Sequence, residues 1–379
     1  YHYIFQPNGI NGKRIFTPKN PELLAPGSHT PSENLDRVAY PHDDNIVRQI
    51  LSYWVLIESV DFRQNDQILE SIKRFENGLE PHIIIEDSQY GKALFIKYDD
   101  NFNRQKAMKV NSTAIYLMAL LSKKERGLPL TSKQENHIHY AVNGLKVFAA
   151  PKAGFYYHHK TPGTNFITSY GSGEAQFALA KYINLYQDEE LYQWTHKRFD
   201  EYFETYFKNS FSNPESYKDK ERVGYITWGL YYLNEINKYK PINYKKYARP
   251  LVEYSFAYKD INPACKDGPC IFSMAVWDSS SVEGMTAAYA LMLQYEDDKT
   301  LLNTVENYLH DAAKHLLSGQ VNSVEQYEEI SGEKFSNNPK HLIGGFCDWP
   351  RCNYLRNEIT MHTVAALMHY HKLFHTSIK

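Results

Sequence analysis

Beyond residue 40, apolar residues recur at three- and four-residue spacing along the chain, in two alternating styles. Leu301, Leu302, Val305, Tyr308, Leu309, Ala312, Ala313 and Leu316 mark one face of a helix, as do Leu191, Trp194, Phe199, Tyr202, Phe203 and Tyr206. Segments 114–121, 175–186, 287–293 and 364–370 are instead apolar or small nearly all round, which requires burial on every side. The pattern predicts helix pairs at 42–61 with 66–77, 107–123 with 132–148, 170–186 with 189–207, 221–236 with 243–256, and 280–294 with 298–316, followed by 354–374. Asn45, Asn111, Tyr170, Tyr225, Glu283 and Asn357, taken as first-turn residues of the leading helices, repeat at a period of roughly 55–75 residues.

A hairpin repeated at that period, with one buried and one amphipathic member, is the sequence form of an all-α, two-layer toroid. Inner helices line the ring and outer helices shield it. Short aromatic strands precede buried helices at 93–98, 154–157 and 344–347, so β-hairpin loops are expected to open on one end. No linker or charge run divides the chain after residue 40, so residues 41–379 read as one barrel domain. Residues 1–40, with Pro7, Gly9, Pro18, Pro21, Pro26, Gly27 and Pro31, read as an extended N-terminal arm that wraps it.

Composition narrows the function. Lys plus Arg number 42 against 44 Asp plus Glu, a net charge of −2, so there is no global field to hold nucleic acid or an anionic membrane. The longest strongly apolar run, 114–121, is far short of the roughly 20 residues that cross a bilayer, and no membrane insertion is expected. Aromatic residues make up 15%, with 31 Tyr against 19 Phe. Tyr pairs an apolar ring with a polar tip and suits sugar clefts, although a Tyr-rich core gives the same count.

The four cysteines form two pairs of equal spacing, Cys265 with Cys270 and Cys347 with Cys352. Each pair can close a small disulfide loop, which points to a secreted or periplasmic address; a four-cysteine zinc site and free thiols are the alternatives. A start at Tyr1 rather than Met adds the expectation of a removed leader. The run Tyr156-Tyr157-His158-His159 is the most metal-like, but adjacent residues on a strand face opposite ways and no spaced third ligand follows. No metal site or cofactor is therefore expected, and His137 and His139 read as surface or satisfied residues. No phosphate-cradling glycine loop, nucleophile elbow or dinucleotide fingerprint occurs.

Polar residues that interrupt the buried helices fall almost wholly in their first turns. His42, Asp43, Asn45 and Arg48 open the first, Lys109 and Asn111 the next, Tyr170 and Glu174 the third, Asp278 and Glu283 the fifth, and Arg356, Asn357, Glu358 and His362 the last. Six helix N-termini, each partly positive, would surround one mouth lined with carboxylates, amides and aromatics. Glu358 and His362, at i and i+4, share a helix face and can form an acid/base pair or a local pair that satisfies a buried imidazole. Glu174 lies in Gly171-Ser-Gly-Glu-Ala175, where small residues permit close approach, and Glu283 follows Asp278-Ser-Ser-Ser281, which also reads as a capped helix start. A buried Glu must find a partner or shift its pKa.

The blocks Asp43-Asp-Asn-Ile-Val-Arg48, Asn111-Ser-Thr-Ala-Ile-Tyr-Leu-Met-Ala-Leu120, Tyr170-Gly-Ser-Gly-Glu-Ala-Gln-Phe-Ala-Leu-Ala180, Ser281-Val-Glu-Gly-Met285 and Gly344-Gly-Phe346 leading to Glu358 and His362 resemble the six-hairpin glycosidase-like superfamily of (α/α)6 barrels. That resemblance spans residues 40–374 and implies a carbohydrate-active enzyme acting on an oligo- or polysaccharide. Eleven helices are legible where the ideal toroid has twelve, so the last outer helix is missing or replaced by the N-terminal arm. The leading expectation is glycoside hydrolysis, with Glu174, Glu283 and Glu358 as the carboxyl pool and His362 moving or tuning protons. Tyr170, Tyr225 and Trp228 would stack on or bond to sugar rings, with Asp43, Asn45, Arg48, Asn111, Asp278 and Asn357 completing the substrate contacts. The alternatives are a uronic-acid polysaccharide lyase or sugar epimerase, in which Asn111 or Arg48 neutralises the substrate carboxylate while His362 and Tyr170 exchange the alpha proton, and a non-catalytic glycan-binding or host-interaction protein.

Overall fold

The computed structural model describes residues 46–63, 65–100, 105–159, 167, 169–208, 221–261, 275–323, 325–326, 343–346 and 357–375. Among these are eleven α-helices: α1 (Ile46–Ser59), α2 (Asp66–Leu79), α3 (Val110–Glu125), α4 (Ser132–Phe148), α5 (Ser169–Tyr186), α6 (Glu189–Tyr202), α7 (Glu221–Ile236), α8 (Tyr244–Ile261), α9 (Ala275–Tyr295), α10 (Lys299–Ser318) and α11 (Asn357–Phe374). The two expected styles are both present. In α3, Val110 through Lys123 are buried without a break, so no face meets solvent. In α10, burial is confined to Val305, Tyr308, Leu309, Ala312, Ala313 and Leu316, one stripe at helical spacing. The outer helices start at local caps: Asn65 accepts from the Ile68 amide, Thr131 forms a reciprocal box with Gln134, Asp188 accepts from Leu191, and Asp298 from Thr300 and Leu301.

The odd-numbered helices form a closed ring. Each packs on the next, α1 on α3, α3 on α5, α5 on α7, α7 on α9 and α9 on α11, and α11 returns to α1. Closure is made by Lys372 of α11, whose Nζ lies 2.6 Å from Asp61 just past α1, and by the His369 ring 6.5 Å from that of Trp54. Each of α2, α4, α6, α8 and α10 covers the ring from outside, against the inner helix that precedes it. The arm at 1–40 lies outside the described residues, as do all four cysteines.

Three inner helices meet through glycine. A Cβ on Gly173 of α5 would sit 2.5 Å from Trp228 Cβ of α7, and one on Gly284 of α9 would sit 2.8 Å from Thr227 Cα of α7. The small residues around Glu174 therefore serve helix approach. Gly173→Ala is expected to cost about 1–3 kcal/mol, because the neighbouring atom is fixed to backbone and cannot swing away. Thermal unfolding of the variant checks this.

Strands occupy the connections that lead into inner helices. β1 (Ile83–Ser88), β2 (Gly91–Asp100) and β3 (Gln105–Met108) form an antiparallel sheet in the order β1-β2-β3, Ile84 opposite Phe95 and Tyr98 opposite Ala107, and β3 runs directly into α3. Ahead of α5, Phe155 bridges Ala149 and Tyr156 bridges Ile167; ahead of α11, Phe346 bridges Gln320. Of the expected strands, 93–98 forms within β2, paired with a β1 that periodicity alone does not mark, while the described residues of 154–157 and 344–347 make only isolated bridges.

Candidate functional site

The N-terminal halves of the inner helices bring two buried carboxylates into hydrogen-bonded pairs. Glu174, in the second turn of α5, accepts from the Asn111 amide of α3. Ser172, one half-turn earlier, accepts from the Phe155 amide at 3.0 Å and ties the entering loop to the helix. Tyr170 is half-buried at the start of α5, with its ring edge-on to Tyr157, 6.4 Å away. Lys109 Nζ lies over the Tyr157 ring, 5.2 Å from its centroid.

Glu283 of α9 is the more tightly enclosed, at 0% exposure. Its Oε1 accepts from His362 Nδ1 of α11 at 2.6 Å, and its Oε2 accepts from the Tyr231 hydroxyl of α7 at 3.1 Å. Ser280 Oγ lies 3.3 Å from the same imidazole nitrogen. Burial raises the Glu283 pKa above the ordinary carboxylate value, and the bonds from His362 and Tyr231 offset only part of that rise. A carboxyl poised in this way can hold a proton closer to neutral pH than a free Glu and exchange it with the imidazole beside it. His362, bonded through Nδ1, is the group with which that proton would be exchanged.

The chain geometry corrects parts of the sequence reading. Helix α9 begins at Ala275 rather than near residue 280, so Asp278, Ser279, Ser280 and Ser281 lie inside it and do not cap its start. Glu283 consequently sits in the third turn and Tyr225 in the second turn of α7, while Glu358 is in the first turn of α11. Tyr225 and Trp228, expected to meet sugar rings, are enclosed by other aromatic side chains. Tyr225, 1% exposed, packs against Tyr202 at 4.4 Å and Phe207 at 5.7 Å, and Trp228, 3% exposed, against Tyr231 at 5.4 Å and Phe177 at 6.0 Å. Arg48 lies half-buried in the first turn of α1. Asp43 and Asn45 fall outside the described residues, as do the side chains of Asp278, Asn357 and Glu358. His137 is buried and bonded to the Tyr116 hydroxyl at 3.0 Å; His159 stacks on Phe95 at 4.6 Å.

At the opposite, C-terminal end of the ring lies a feature that the sequence did not announce. A cavity of about 260 Å³ is lined there by charged residues, among them Glu58, Arg126, Lys181, Glu235 and Lys372, over the rings of Trp54, Phe177 and Tyr231. Lys181, 6% exposed, reaches Glu125 at 2.7 Å, and Glu58 accepts from Arg126 at 2.6 Å. Burial opposes the Glu58 charge, but Lys181, Arg126, His369 and Lys372 outweigh it and pull its pKa down to about 2. His369 is held down to about 4, first by burial and then by Lys372, Lys181 and Arg126, against the attraction of Glu58.

Both shifts have one sign. Each group binds fewer protons in the folded chain than in the unfolded one, so the stability it contributes is present above its unfolded pKa and is lost as pH falls through its folded pKa. Unfolding free energy is expected to decline from about pH 6.5 down to about pH 2, by up to about 3 kcal/mol for each group. Urea titrations at stepped pH check this; stability that held flat to pH 3 would contradict it.

No protein-family model matches the chain, and no curated protein matches it by sequence. Solved structures do match. The GH76A α-1,6-mannanase of Salegentibacter sp. HEL1_6 superposes with a TM-score of 0.59 at 14% identity, over 87% of this chain and 90% of that one. The (α/α)6 barrel fold is thereby established. A cellobiose 2-epimerase from Spirochaeta thermophila DSM 6192 shares the barrel at a TM-score of 0.57 and 10% identity, over 87% of both chains. An inactive variant of the same mannanase, carrying two substituted aspartates, was solved with α-1,6-mannotriose and matches with a TM-score of 0.58 at 13% identity, over 86% of this chain and 89% of that one.

Proposed function

We propose that this barrel is a carbohydrate-active enzyme that hydrolyses a glycosidic bond in an oligo- or polysaccharide at the N-terminal mouth of its inner ring. The observation that carries the reading is Glu283, a fully buried carboxyl with a raised pKa, bonded to an imidazole at 2.6 Å. A structural ion pair would place a permanent cation there; a His beside a desolvated Glu is a proton-handling pair. Glu283 supplies the acid proton with His362 as its shuttle towards the leaving oxygen, and Glu174, oriented by Asn111, is the second carboxyl. Glu358, Asp43 and Asn45 would complete the mouth, with Asp278, Asn357, Arg48 and Tyr170 as substrate contacts.

Support for a sugar substrate comes from the barrel's likeness to the mannanase and the epimerase. Oligosaccharides of α-1,6-linked mannose therefore head the substrates to try, followed by neutral and acidic polysaccharides. The enzyme would work in an oxidising, secreted or periplasmic setting, with Cys265–Cys270 and Cys347–Cys352 closed as disulfides.

The His362 imidazole also suits a second reading, alpha-proton exchange in a lyase or epimerase. Incubating the wild-type protein with this panel separates the classes. New reducing ends without ultraviolet absorbance support hydrolysis, absorbance from a new C=C bond marks a lyase, and solvent deuterium in an uncleaved sugar marks an epimerase. Glycan binding with none of these products would mark a binding protein.

A further inference from the structure

We propose that the cavity at the C-terminal end of the barrel is a proton port for the Glu283–His362 pair, joined to it by His369 and Tyr231. His369 lines the cavity and its Nδ1 lies 2.6 Å from the Tyr231 hydroxyl, which in turn bonds Glu283 Oε2 at 3.1 Å. His362 and His369 are seven residues apart on α11, about 10.5 Å along its axis, so the chain of groups runs along the interior of the ring from one end towards the other.

Hydrogen count sets the direction of these bonds. The Glu283 carboxylate can only accept, and the tyrosine hydroxyl has one proton, which goes to Oε2. His369 must then carry its proton on Nδ1 and donate to Tyr231, leaving Nε2 as the accepting nitrogen. A proton taken up at His369 Nε2 is matched by release of the Nδ1 proton to Tyr231 Oη, and the hydroxyl proton passes to Glu283 Oε2. One proton enters, one arrives, and no redox partner is needed.

The groups facing His369 keep it a conduit. Glu58 of α1, Arg126 beyond α3, Lys181 of α5 and Lys372 of α11 act on it, and burial with the three cations keeps the ring neutral near pH 7. Tyr231 stays a phenol, because burial and the adjacent Glu283 raise its pKa well above the ordinary value. Such a route has a use when the mouth is filled by a glycan and closed to water, since a general acid that has given up its proton is reloaded from behind. The proposal rests on Glu283 and His362 being the proton-handling pair; Tyr231 and His369 are positioning and relay residues.

The test reads proton exchange directly and needs no substrate. Proton NMR follows exchange of the His362 Nδ1 proton with solvent in the wild type, in Tyr231→Phe, which keeps the ring stacked on Phe177 at 4.9 Å, and in His369→Ala. Exchange is expected to slow roughly tenfold or more in both variants. Free imidazole, which has the shape of the deleted side chain, should restore the rate in His369→Ala and leave Tyr231→Phe slow. Unchanged exchange in both variants would overturn the port, and so would slowing in His369→Ala that imidazole fails to relieve, which marks a structural role. Near-ultraviolet circular dichroism confirms that each variant is folded. A wild type that cleaves no glycan yet shows the imidazole effect would sink the hydrolase reading and leave the port standing; cleavage without any exchange effect would do the reverse.

Discussion

On any glycan that the wild type cleaves, Glu283→Gln is expected to lower kcat by about 10²–10⁴-fold with little change in KM. The amide keeps the shape of the carboxyl and can accept from His362 or Tyr231, but it has no acid proton to pass through His362 to a leaving oxygen. KM stays because Glu283 is enclosed by His362 and Tyr231 within the ring, at 0% exposure, so its part in ground-state binding is small. The steady-state kinetics of a folded variant measure the split. A raised KM with kcat intact would move Glu283 from the chemistry to simple binding.

Lys181→Met is expected to destabilise the barrel by about 3–5 kcal/mol. The ammonium is buried among Glu58, Glu125 and Glu235; burial alone would lower its pKa, and those three carboxylates raise it above the ordinary lysine value instead. Removing the cation leaves their negative charge without its shared partner, although Arg126 and Lys238 still hold Glu58 and Glu235 at 2.6 Å each. The Met stem fills similar volume, so the loss isolates charge from packing. Denaturant unfolding gives the number, and Lys181→Met combined with Glu125→Gln should recover part of it. A loss under about 1 kcal/mol would mean that the cavity solvates these carboxylates as well as the lysine does.

Much of the fold could be read from periodicity because burial itself is periodic. The all-round apolar character of 114–121 follows from α3 lying inside a ring, and the one-sided stripe of α10 from covering it. Helix starts were harder. Asp278-Ser-Ser-Ser281 has the chemistry of a cap, but in the packed ring Ser279, Ser280 and Ser281 act as small buried side chains where α9 closes on α7 through Gly284. The same ambiguity holds for Tyr225 and Trp228, since an amphipathic ring suits a sugar cleft and a crowded inner ring alike.

The pairing of Glu174 with Asn111 joined two residues that the sequence had marked separately. The bond between His362 and Glu283 is not visible in that way. Local spacing points to Glu358, four residues away, whose side chain lies outside the described residues, while the bond to Glu283 spans 79 residues. Tyr231 and His369 escaped notice because they meet across 138 residues and look, one at a time, like ordinary core. The signal that was available is the seven-residue spacing of His362 and His369, which puts both on one face of the last inner helix.

Hydrolysis at this site is tested most directly by running the wild-type protein on the glycan panel in ¹⁸O-labelled water and weighing the products. The account predicts one ¹⁸O at each new reducing end and none at the hydroxyl freed on the fragment that leaves. Cleavage without label, or a mass-neutral change in an uncleaved sugar, would contradict it.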